Sequence, residues 1–482
     1  MIPVVTPEEM AAVDRAAPEP VDVLVGRAGA ATAACALDLL GGAYGRRVVV
    51  VAGPGNNGAD GRAAARLLAR RGALVVVVEP SSDQLPPADL VVDAAFGTGL
   101  GRAYAPPDAG DTPVLAVDIP SGLSGLTGHI VEGGGALAAA ATVTFAALKP
   151  GLLLGDGPSL TGPVHLHGIG LAHRAGEAAS AWLVEDVDVR LSLPPRPASG
   201  HKWQTAVGVI AGSPGMAGAP WLVARAAMRA GAGYVRLGIP GMDPGHAGLP
   251  PGEAVGLALP EGDWVGEAAE ALGRCRSVVV GPGLAATGRM GEGGEPVDPG
   301  PATAVGRLLR ATDLAAVVDA DGLNALGSFD AVASVLSDRN GPVVLTPHEG
   351  EWARLTGSPP GADRLGQVRD AARRAGAVVL LKGSVTVVAA PDGRALLAGA
   401  GSPRLATAGT GDALSGMIGA FLARGVPAFE AAALGAHTHG RAAALGAAEG
   451  LIASDLPDLV SRWLSSFPPP GGLDAAVRVT RR

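Results

Sequence analysis

The sequence predicts an α/β protein in two parts, each built around a parallel sheet. The chain has 482 residues, which at roughly 100–200 residues per domain gives room for two or three domains. Short β-branched runs that end in Gly or Asp recur along it, and a glycine-rich turn after the first run precedes an amphipathic helix. This order is typical of a parallel α/β sheet. Glycine and proline, 74 and 40 in number, recur at the ends of apolar runs and therefore indicate turns of a folded chain.

The first part is predicted to be Rossmann-like. Its strands are expected at residues 47–53, 73–80, 89–97, 113–120 and 142–148. A helix is expected at 59–71, where Ala63, Leu67 and Leu68 share one face and arginines lie opposite. Residues 48–51 and 75–78 are continuous apolar runs, so both strands are expected to be buried on both faces.

A proline-rich stretch divides the chain. Three prolines fall within residues 194–198, which predicts an extended linker at 191–200 between domains at 1–190 and 201–482. A second α/β series then begins, with a helix expected from 410–412 to residue 422 and a surface insertion at 290–301. Its strands are expected at 207–211, 234–239, 277–280, 316–320, 343–346, 377–382 and 386–390.

Charge and composition exclude several classes of protein. The net charge of −8 arises within residues 1–190, which hold 12 basic and 20 acidic residues, whereas the rest holds 25 of each. Neither part has the basic excess that nucleic-acid binding requires. The first residues lack the pattern of a signal peptide, and the longest uncharged stretch, near 133–148, is shorter than the ~20 apolar residues of a membrane span. Cys35 and Cys275 have no metal-site spacing. We expect a cytoplasmic protein without nucleic-acid or membrane partners.

Two residue types are scarce enough to be informative. Lysine occurs only at Lys149, Lys202 and Lys382, in a chain whose basic residues are otherwise arginine. Asparagine occurs four times, and two of these residues, Asn56 and Asn57, are adjacent. A lysine or an Asn-Asn pair in this background is less often surface filler, so both types are candidates for a function.

The first candidate site lies at the ends of the first strands. The glycine-rich turn at 53–61 lets the backbone approach a ligand, and the helix that follows offers free N–H groups to an anion. The carbonyl oxygens of Asn56 and Asn57 are hard ligands for a cation. Asp93, Asp118 and Lys149 end other strands, and in a parallel sheet these ends line one crevice. A single Asp there could equally be a cap or turn residue, but the convergence favours a site.

These motifs resemble the NAD(P)H-hydrate epimerase domain over residues 1–188. The motifs are G-x-G-N-N-G-x-D-G at 53–61, D-A-x-F-G-T-G at 93–99 and D-I-P-S-G at 118–122. The resemblance implies epimerisation at C6 of hydrated NADH and NADPH, a potassium ion held by Asn57, Asp93 and Ser121, and Asp118 as acid or base. It implies substrate binding by Asn56, Asn57, Gly58, Ala59, Asp60, Gly97, Thr98, Gly99, Leu100, Gly101, Arg102, Ala103 and Asp118. Ala59 stands where the family has Gly, and Gly26 where it has Glu.

The second candidate site centres on residues 408–412, Ala-Gly-Thr-Gly-Asp, at the start of the predicted helix. Successive amides there form a hole for a phosphoryl group, and Asp412 is placed to take a proton from an attacking hydroxyl. The alternative for Asp412 is an N-cap. Lys382 ends a strand before a hairpin-like Gly-Ser, and His348 with its neighbouring glutamates is a candidate substrate contact. The histidine pairs at 165 and 167 and at 437 and 439 lack a third metal ligand and are expected to be structural.

Residues 199–464 resemble the ADP/ATP-dependent NAD(P)H-hydrate dehydratase domain, a relative of ribokinase-like kinases. The motifs are D-A-D-G-L-N-A-L at 319–326, T-P-H-x-G-E at 346–351, K-G-x-V-T at 382–386 and G-T-G-D at 409–412. The resemblance implies a ribokinase-like fold and hydrate contacts at Ala219, Gly283, His348 and Asp412. It implies nucleotide binding by Lys382, Gly383, Ser384, Val385, Thr386, Ser402, Pro403, Arg404, Leu405, Ala406, Thr407, Ala408, Gly409, Thr410 and Gly411. Trp203 replaces a usual Gly and is expected to reshape a lip of this site.

The two resemblances together predict a bifunctional repair enzyme. The first domain would interconvert the R and S hydrates, and the second would dehydrate the S form with ADP and magnesium, giving AMP and phosphate. One alternative is a ribokinase-like small-molecule kinase fused to a nucleotide- or partner-binding Rossmann-like module. Another is that the first domain only binds a ligand or a partner protein. The residues leave open ADP versus ATP, NADH versus NADPH, coupling between the sites and a homo-oligomeric state.

Overall fold

The computed structural model describes residues 1–82, 84–195, 199–242, 252–284, 303–466 and 479–481. Contacts within the chain separate two compact units. The N-terminal unit comprises Ile2–Trp182 with the strand at 479–481, and the C-terminal unit comprises Leu183–Asp474 with Met1. The contacts thus divide the chain between Trp182 and Leu183, ahead of the predicted linker. The surface insertion expected at 290–301 lies outside the described residues.

The described strands and helices are short and alternate along both units. The strands are β1 (Ile2–Val4), β2 (Arg47–Ala52), β3 (Leu74–Val78), β4 (Leu90–Ala94), β5 (Val114–Val117), β6 (Ala141–Phe145), β7 (Val164–His167), β8 (Ala181–Leu183), β9 (Ala206–Ile210), β10 (Tyr234–Pro240), β11 (Val255–Leu259), β12 (Ser277–Val280), β13 (Ala315–Val318), β14 (Val343–Leu345), β15 (Val378–Leu381), β16 (Thr386–Ala389), β17 (Ala395–Ala398) and β18 (Val479–Arg481). The α-helices are α1 (Pro7–Arg15), α2 (Val21–Leu40), α3 (Asn56–Arg70), α4 (Pro150–Leu153), α5 (Gly157–Leu160), α6 (Ala172–Ala178), α7 (Asp186–Ser192), α8 (Gly218–Arg229), α9 (Val265–Leu272), α10 (Ala304–Ala311), α11 (Asp321–Leu326), α12 (Phe329–Leu336), α13 (Glu349–Thr356), α14 (Arg364–Ala375), α15 (Thr410–Ala423), α16 (Ala428–Ala444) and α17 (Leu456–Ser465). Short 3₁₀ helices occupy Lys202–Thr205, Pro403–Leu405 and Ala453–Asp455.

The N-terminal unit contains a parallel sheet in the order β3-β2-β4-β5-β6-β7-β18. In this register Val51 of β2 lies beside Asp93 of β4. The carboxyl ends of β2, β4, β5 and β6 therefore meet at one edge of the sheet, as the sequence predicted.

The burial predicted for strand β3 is wrong. The run 75–78 was expected to be buried on both faces, but Val76 and Val77 are 48% and 47% exposed. The reason is topological, because β3 is the outermost strand and pairs with β2 alone. A continuous apolar run predicts a strand, but it does not say whether that strand is central.

The start predicted for helix α3 is also wrong. The predicted glycine-rich turn at 53–61 is shorter, since the helix already begins at Asn56. A Cβ on Gly58 would lie 1.8 Å from the Gly53 carbonyl oxygen, and one on Gly61 would lie 2.5 Å from Cβ of Ala94. Glycine is therefore needed here for the close packing of a helix as well as for a turn.

Helix α2 forms part of the core of the N-terminal unit. Among the described residues it is the one helix whose length and composition would suffice to cross a membrane. Ala28, Ala36 and Leu40 on it are buried, and it packs against α3. Its apolar composition is explained by that packing.

The C-terminal unit has a larger, mostly parallel sheet. Its strands lie in the order β17-β16-β15-β14-β13-β12-β9-β10-β11. The pairs β15–β16 and β16–β17 are antiparallel, so the predicted hairpin after Lys382 is confirmed. The helix predicted from 410–412 is confirmed as α15, which packs against α8 and α16. The parallel α/β class predicted for both parts is confirmed.

Candidate active sites

A cavity of about 710 Å³ opens at the carboxyl ends of β2, β4, β5 and β6. Its wall includes ten predicted substrate contacts, namely Asn56, Asn57, Asp60, Gly97, Thr98, Gly99, Leu100, Gly101, Arg102 and Asp118. Lys149, whose role the sequence left open, lies on the same wall. The lining residues do not include Gly58, Ala59 or Ala103.

The proposed catalytic carboxylate, Asp118, follows β5 and has a backbone φ of 67°. Its Oδ1 atom accepts hydrogen bonds from Lys149 Nζ at 2.6 Å and from Thr144 Oγ1 at 3.1 Å. The Lys149 ammonium is buried and also donates to Thr144 Oγ1 at 2.8 Å and to the Phe145 carbonyl oxygen at 3.0 Å. Asp118 Oδ2 lies 3.4 Å from where a Cβ on Gly97 would stand.

The three predicted potassium ligands lie around Phe96 and Gly97. Ser121 donates from Oγ to Asp93 Oδ1 at 2.6 Å and from its N–H to Asp93 Oδ2 at 2.8 Å, while the Phe96 N–H donates to Ser121 Oγ at 2.8 Å. Burial raises the pKa of Asp93, against the lowering effect of the Ser121 hydrogen bonds. Asn57 Cβ lies 3.6 Å from the Cβ position of Gly97. Both amide atoms of Asn57 are buried without a hydrogen-bond partner.

Two further carboxyl groups face this cavity. Burial, together with the charges of Asp118 and Asp14, raises the pKa of Asp60 to about 8. Burial likewise raises the pKa of Asp14, a residue of α1 that no sequence motif identified. At neutral pH Asp60 therefore holds its proton in this structure.

A second cavity, of about 680 Å³, lies in the C-terminal unit at the start of α15. His348, Asp412 and thirteen of the predicted nucleotide contacts line it, these being Lys382, Gly383, Ser384, Thr386, Ser402, Pro403, Leu405, Ala406, Thr407, Ala408, Gly409, Thr410 and Gly411. Val385 is buried away from it, and Arg404 donates to carbonyl oxygens at the end of α16, at 3.2 Å for Ala444.

The other two predicted hydrate contacts lie together but outside the lining of this cavity. A Cβ on Gly283 would lie 3.2 Å from Cβ of Ala219.

The start of α15 has no side-chain cap and borders the cavity. Gly409, with a φ of 87°, precedes the first turn. The amides of this turn are therefore available to a ligand. Asp412 lies in that turn and is not its N-cap, which excludes the capping alternative. Burial, then the charge of Asp319, raises the pKa of Asp412 to about 7, and Lys382 opposes this shift.

A buried network surrounds Lys382. Its Nζ lies 2.6 Å from Asp319 Oδ1 and 3.4 Å from where a Cβ on Gly411 would stand. Asp319 Oδ2 accepts from Ser415 Oγ at 2.6 Å. Burial alone would lower the pKa of Lys382, but the charges of Asp319 and Glu351 outweigh it and raise the pKa. The lysine thus stays charged beside the first turn of α15.

The sequence assigned no role to Asp319 or Ser415, and it named Glu351 only as a neighbour of the candidate substrate contact His348. The signals were the motif at 319–326 that begins with Asp319, the motif at 346–351 that ends with Glu351, and the scarcity of lysine.

The histidines have distinct positions. His348 Nδ1 accepts the Gly350 N–H at 2.9 Å, so this residue begins α13 as well as lining the cavity. His437 pairs with Asp186 at 2.7 Å, in keeping with a structural role. His439, expected to be structural, also lines the second cavity, and burial lowers its pKa to about 3, which keeps the ring neutral.

Trp203 does not border this site, so that expectation is wrong. It lies in the 3₁₀ helix that precedes β9, whereas the cavity lies at the carboxyl ends of the strands. Its ring stands 4.3 Å from that of Tyr234, and the Arg274 guanidinium lies 4.0 Å from its centroid.

The fold and these two cavities define a two-part α/β enzyme. Each cavity combines a glycine-rich segment at the carboxyl edge of a sheet with a buried lysine–aspartate pair. The family model described as NAD(P)H-hydrate dehydratase matches residues 207–465, which is more than half of the chain. The model described as YjeF-related protein N-terminus matches residues 21–85 and 78–151.

Two relatives that match this chain over most of its length are described as bifunctional. The chain is 39% identical over 463 residues to the bifunctional NAD(P)H-hydrate repair enzyme Nnr of Mycobacterium leprae (strain TN), covering 88% of each chain. It is 33% identical over 469 residues to the enzyme of the same description from Escherichia coli (strain K12), covering 86% of this chain and 85% of the relative. A solved Bacillus subtilis ADP/ATP-dependent NAD(P)H-hydrate dehydratase, co-crystallised with ATP and Mg²⁺, is 32% identical, with a TM-score of 0.46, and covers 58% of this chain and 95% of its own. The chain belongs to the family of bifunctional NAD(P)H-hydrate repair enzymes.

Proposed function

We propose that the N-terminal unit interconverts the R and S hydrates of NADH and NADPH, and that the C-terminal unit dehydrates the S form with ADP. The single observation that carries this proposal is the match of one chain, along both units, to the bifunctional relatives. The two cavities supply the acid–base and anion-binding groups that such reactions need. Both substrates are small molecules, and a cytoplasmic location is part of this proposal.

Asp118 is the acid–base group of the epimerase. It lies on the cavity wall, and Lys149 is its counter-ion at 2.6 Å. A carboxylate in this position takes the proton of the C6 hydroxyl as the C6–N1 bond opens to an aldehyde, and it returns the proton when the ring closes on the other face of C6. The glycine-rich loop at 97–101 and the first turn of α3 shape the wall around it.

The residues Asn57, Asp93 and Ser121 fit a potassium ion. They provide hard oxygen donors, and the buried amide of Asn57 has no other partner in the structure. When bound, the ion supplies positive charge that orients the hydrate's oxygen atoms. Within the chain, two hydrogen bonds from Ser121 to Asp93 fix the positions of both side chains.

In the C-terminal unit Asp412 is the base. It takes the proton of the C6 hydroxyl as that oxygen attacks the β-phosphoryl group of ADP, and AMP leaves. The first-turn amides of α15 and the Lys382 ammonium hold the phosphoryl oxygens. The C6–O bond then breaks with its electron pair on the departing phosphate, and C5 gives its proton to water while the C–H pair forms the C5=C6 bond, which restores the dihydronicotinamide ring. Magnesium would arrive with the nucleotide phosphates.

The rival function is a small-molecule kinase, because the same turn and base serve a stable phosphoryl transfer. Chromatography of hydrated NADH incubated with and without ADP separates the two. Formation of NADH, AMP and phosphate only when ADP is present supports the dehydratase. A stable phosphorylated product without NADH would support the kinase.

A further inference from the structure

The Lys149 ammonium has no proton left for a substrate. A lysine has three N–H donors, and here each one has an acceptor within 3.0 Å: Asp118 Oδ1, Thr144 Oγ1 and the Phe145 carbonyl oxygen. The side chain is 2% exposed although it borders the cavity. Lys149 therefore acts on another side chain and does not bind the hydrate itself.

The two oxygens of Asp118 differ. Oδ1 accepts from both Lys149 and Thr144, and Thr144 Oγ1 itself accepts from Lys149, so the three groups close a triangle of hydrogen bonds. Oδ2 has no hydrogen bond among the described residues and is directed towards Gly97 on the cavity wall. One oxygen is held and the other is free.

The backbone supports the same orientation. Asp118 adopts a φ of 67°, which an Asp tolerates better than most residues but which is still unfavourable. Its N–H donates to the Val143 carbonyl oxygen at 2.6 Å. A backbone held in this region and a carboxylate bound on one side leave the free oxygen a single direction.

We propose that Lys149 and Thr144 are positioning residues of the epimerase, which hold Asp118 so that Oδ2 alone receives the C6 hydroxyl proton. The O–H bond breaks and its proton moves to Oδ2 to give a neutral carboxyl group, while the freed electron pair forms a C6=O bond and the C6–N1 bond breaks with its pair on N1. N1 then closes on the other face of C6, which inverts that centre, and Oδ2 returns the proton to the C6 oxygen. This inference rests on the proposed epimerase function. Displacement of a reacting group by about 1 Å can cost on the order of 100-fold in rate, so loss of this triangle should lower turnover.

The test compares Thr144→Val with Thr144→Ser in the full chain, using steady-state interconversion of purified hydrates in the absence of ADP. Val keeps the shape but removes the hydroxyl, whereas Ser keeps it. We expect kcat to fall about 10–100-fold in Thr144→Val with KM changed less than about 3-fold, and to stay within about 3-fold of the parent in Thr144→Ser. ADP-dependent dehydration of the S hydrate should be unchanged in both variants, which controls for the C-terminal unit, and an unchanged melting curve controls for folding of the N-terminal unit.

Lys149→Ala provides a second arm, because its shortened side chain leaves room for a small amine. Ethylammonium added to this variant should raise its epimerisation rate at least about 5-fold and leave Thr144→Val unaffected. If the parent interconverts the hydrates but Thr144→Val keeps its kcat, or ethylammonium has no effect on Lys149→Ala, the positioning role is overturned. If the parent itself interconverts the hydrates no faster than buffer, both the proposed epimerase function and this inference are wrong.

Discussion

At the scale of single residues, each unit contains one buried lysine–aspartate pair at the carboxyl edge of its sheet. Lys149 and Asp118 are 2.6 Å apart, as are Lys382 and Asp319. The rarity of lysine predicted that these side chains matter. The partners could not be predicted with the same ease, because they lie 31 and 63 residues away and meet only once the sheet has formed.

The pH dependence of dehydration follows from Asp412. Burial raises its pKa to about 7, and the base works only when deprotonated, so kcat/KM should fall as the pH drops through about 7 and level off above it. About a tenth of the maximal rate is expected one pH unit below that pKa. A profile measured from pH 5.5 to 9 checks this, and a flat profile would contradict the assignment.

The matched variant is Asp412→Asn, which keeps the start of α15 but removes the base. Its rate of dehydration should fall on the order of 10²–10⁴-fold, and its pH profile should no longer fall at low pH. Epimerisation should stay intact.

A potassium requirement is expected of the epimerase reaction alone. Since the buried amide of Asn57 has no partner within the chain, replacing potassium by tetramethylammonium should slow interconversion. Asn57→Ala should be slow in both media, because it lacks a ligand for the ion. The measurement is the initial rate of interconversion at constant ionic strength. Equal rates of the parent in the two media would exclude the site.

At the scale of elements, the sequence predicted most central strands and the helices α3 and α15. It did not predict most of the other helices that pack on the two sheets. Runs such as 48–51 identify a strand because they are apolar and β-branched, and β2 is buried as expected. Helices α8 and α16 carried no comparable signal, since both are rich in alanine and buried over much of their length. The start of α3 was placed too late because its first turn holds Asn and Gly, which are commoner in turns.

Close packing of α15 against α8 should hold the anion-binding turn in place. A Cβ on Gly416 of α15 would lie 2.2 Å from the Val223 carbonyl oxygen. We expect Gly416→Ala to lower the stability of the C-terminal unit by about 1–3 kcal/mol and to slow dehydration, because the helix must move. Thermal unfolding and the dehydration rate check this.

The control is Gly266→Ala in α9, where a Cβ would meet nothing within 4 Å. That change should leave stability equal or raised, since alanine favours a helix over glycine. Equal melting temperatures for the two variants would refute the packing argument.

At the scale of the whole molecule, the chain divides into two compact units with one cavity each. The motifs predicted both cavities because the carboxyl ends of parallel strands converge. The sequence did not identify Asp14, which lines the first cavity from α1, or Ser415, which lies on α15 beyond the motif and donates to Asp319. Lys202 was a candidate by rarity, yet it lies over the rings of Trp203 and Tyr234, away from the second cavity.

The central claim is that one chain performs two successive reactions at separate sites, and the R hydrate of NADH as sole substrate tests it most directly. With ADP present, the parent chain should convert it fully to NADH. Asp118→Asn should leave the R hydrate at the level of buffer, and Asp412→Asn should accumulate a mixture of R and S hydrates without NADH. An equimolar mixture of the two variants should restore NADH formation, as measured by chromatography. Failure of the mixture to form NADH, or NADH formation by Asp412→Asn alone, would contradict the account.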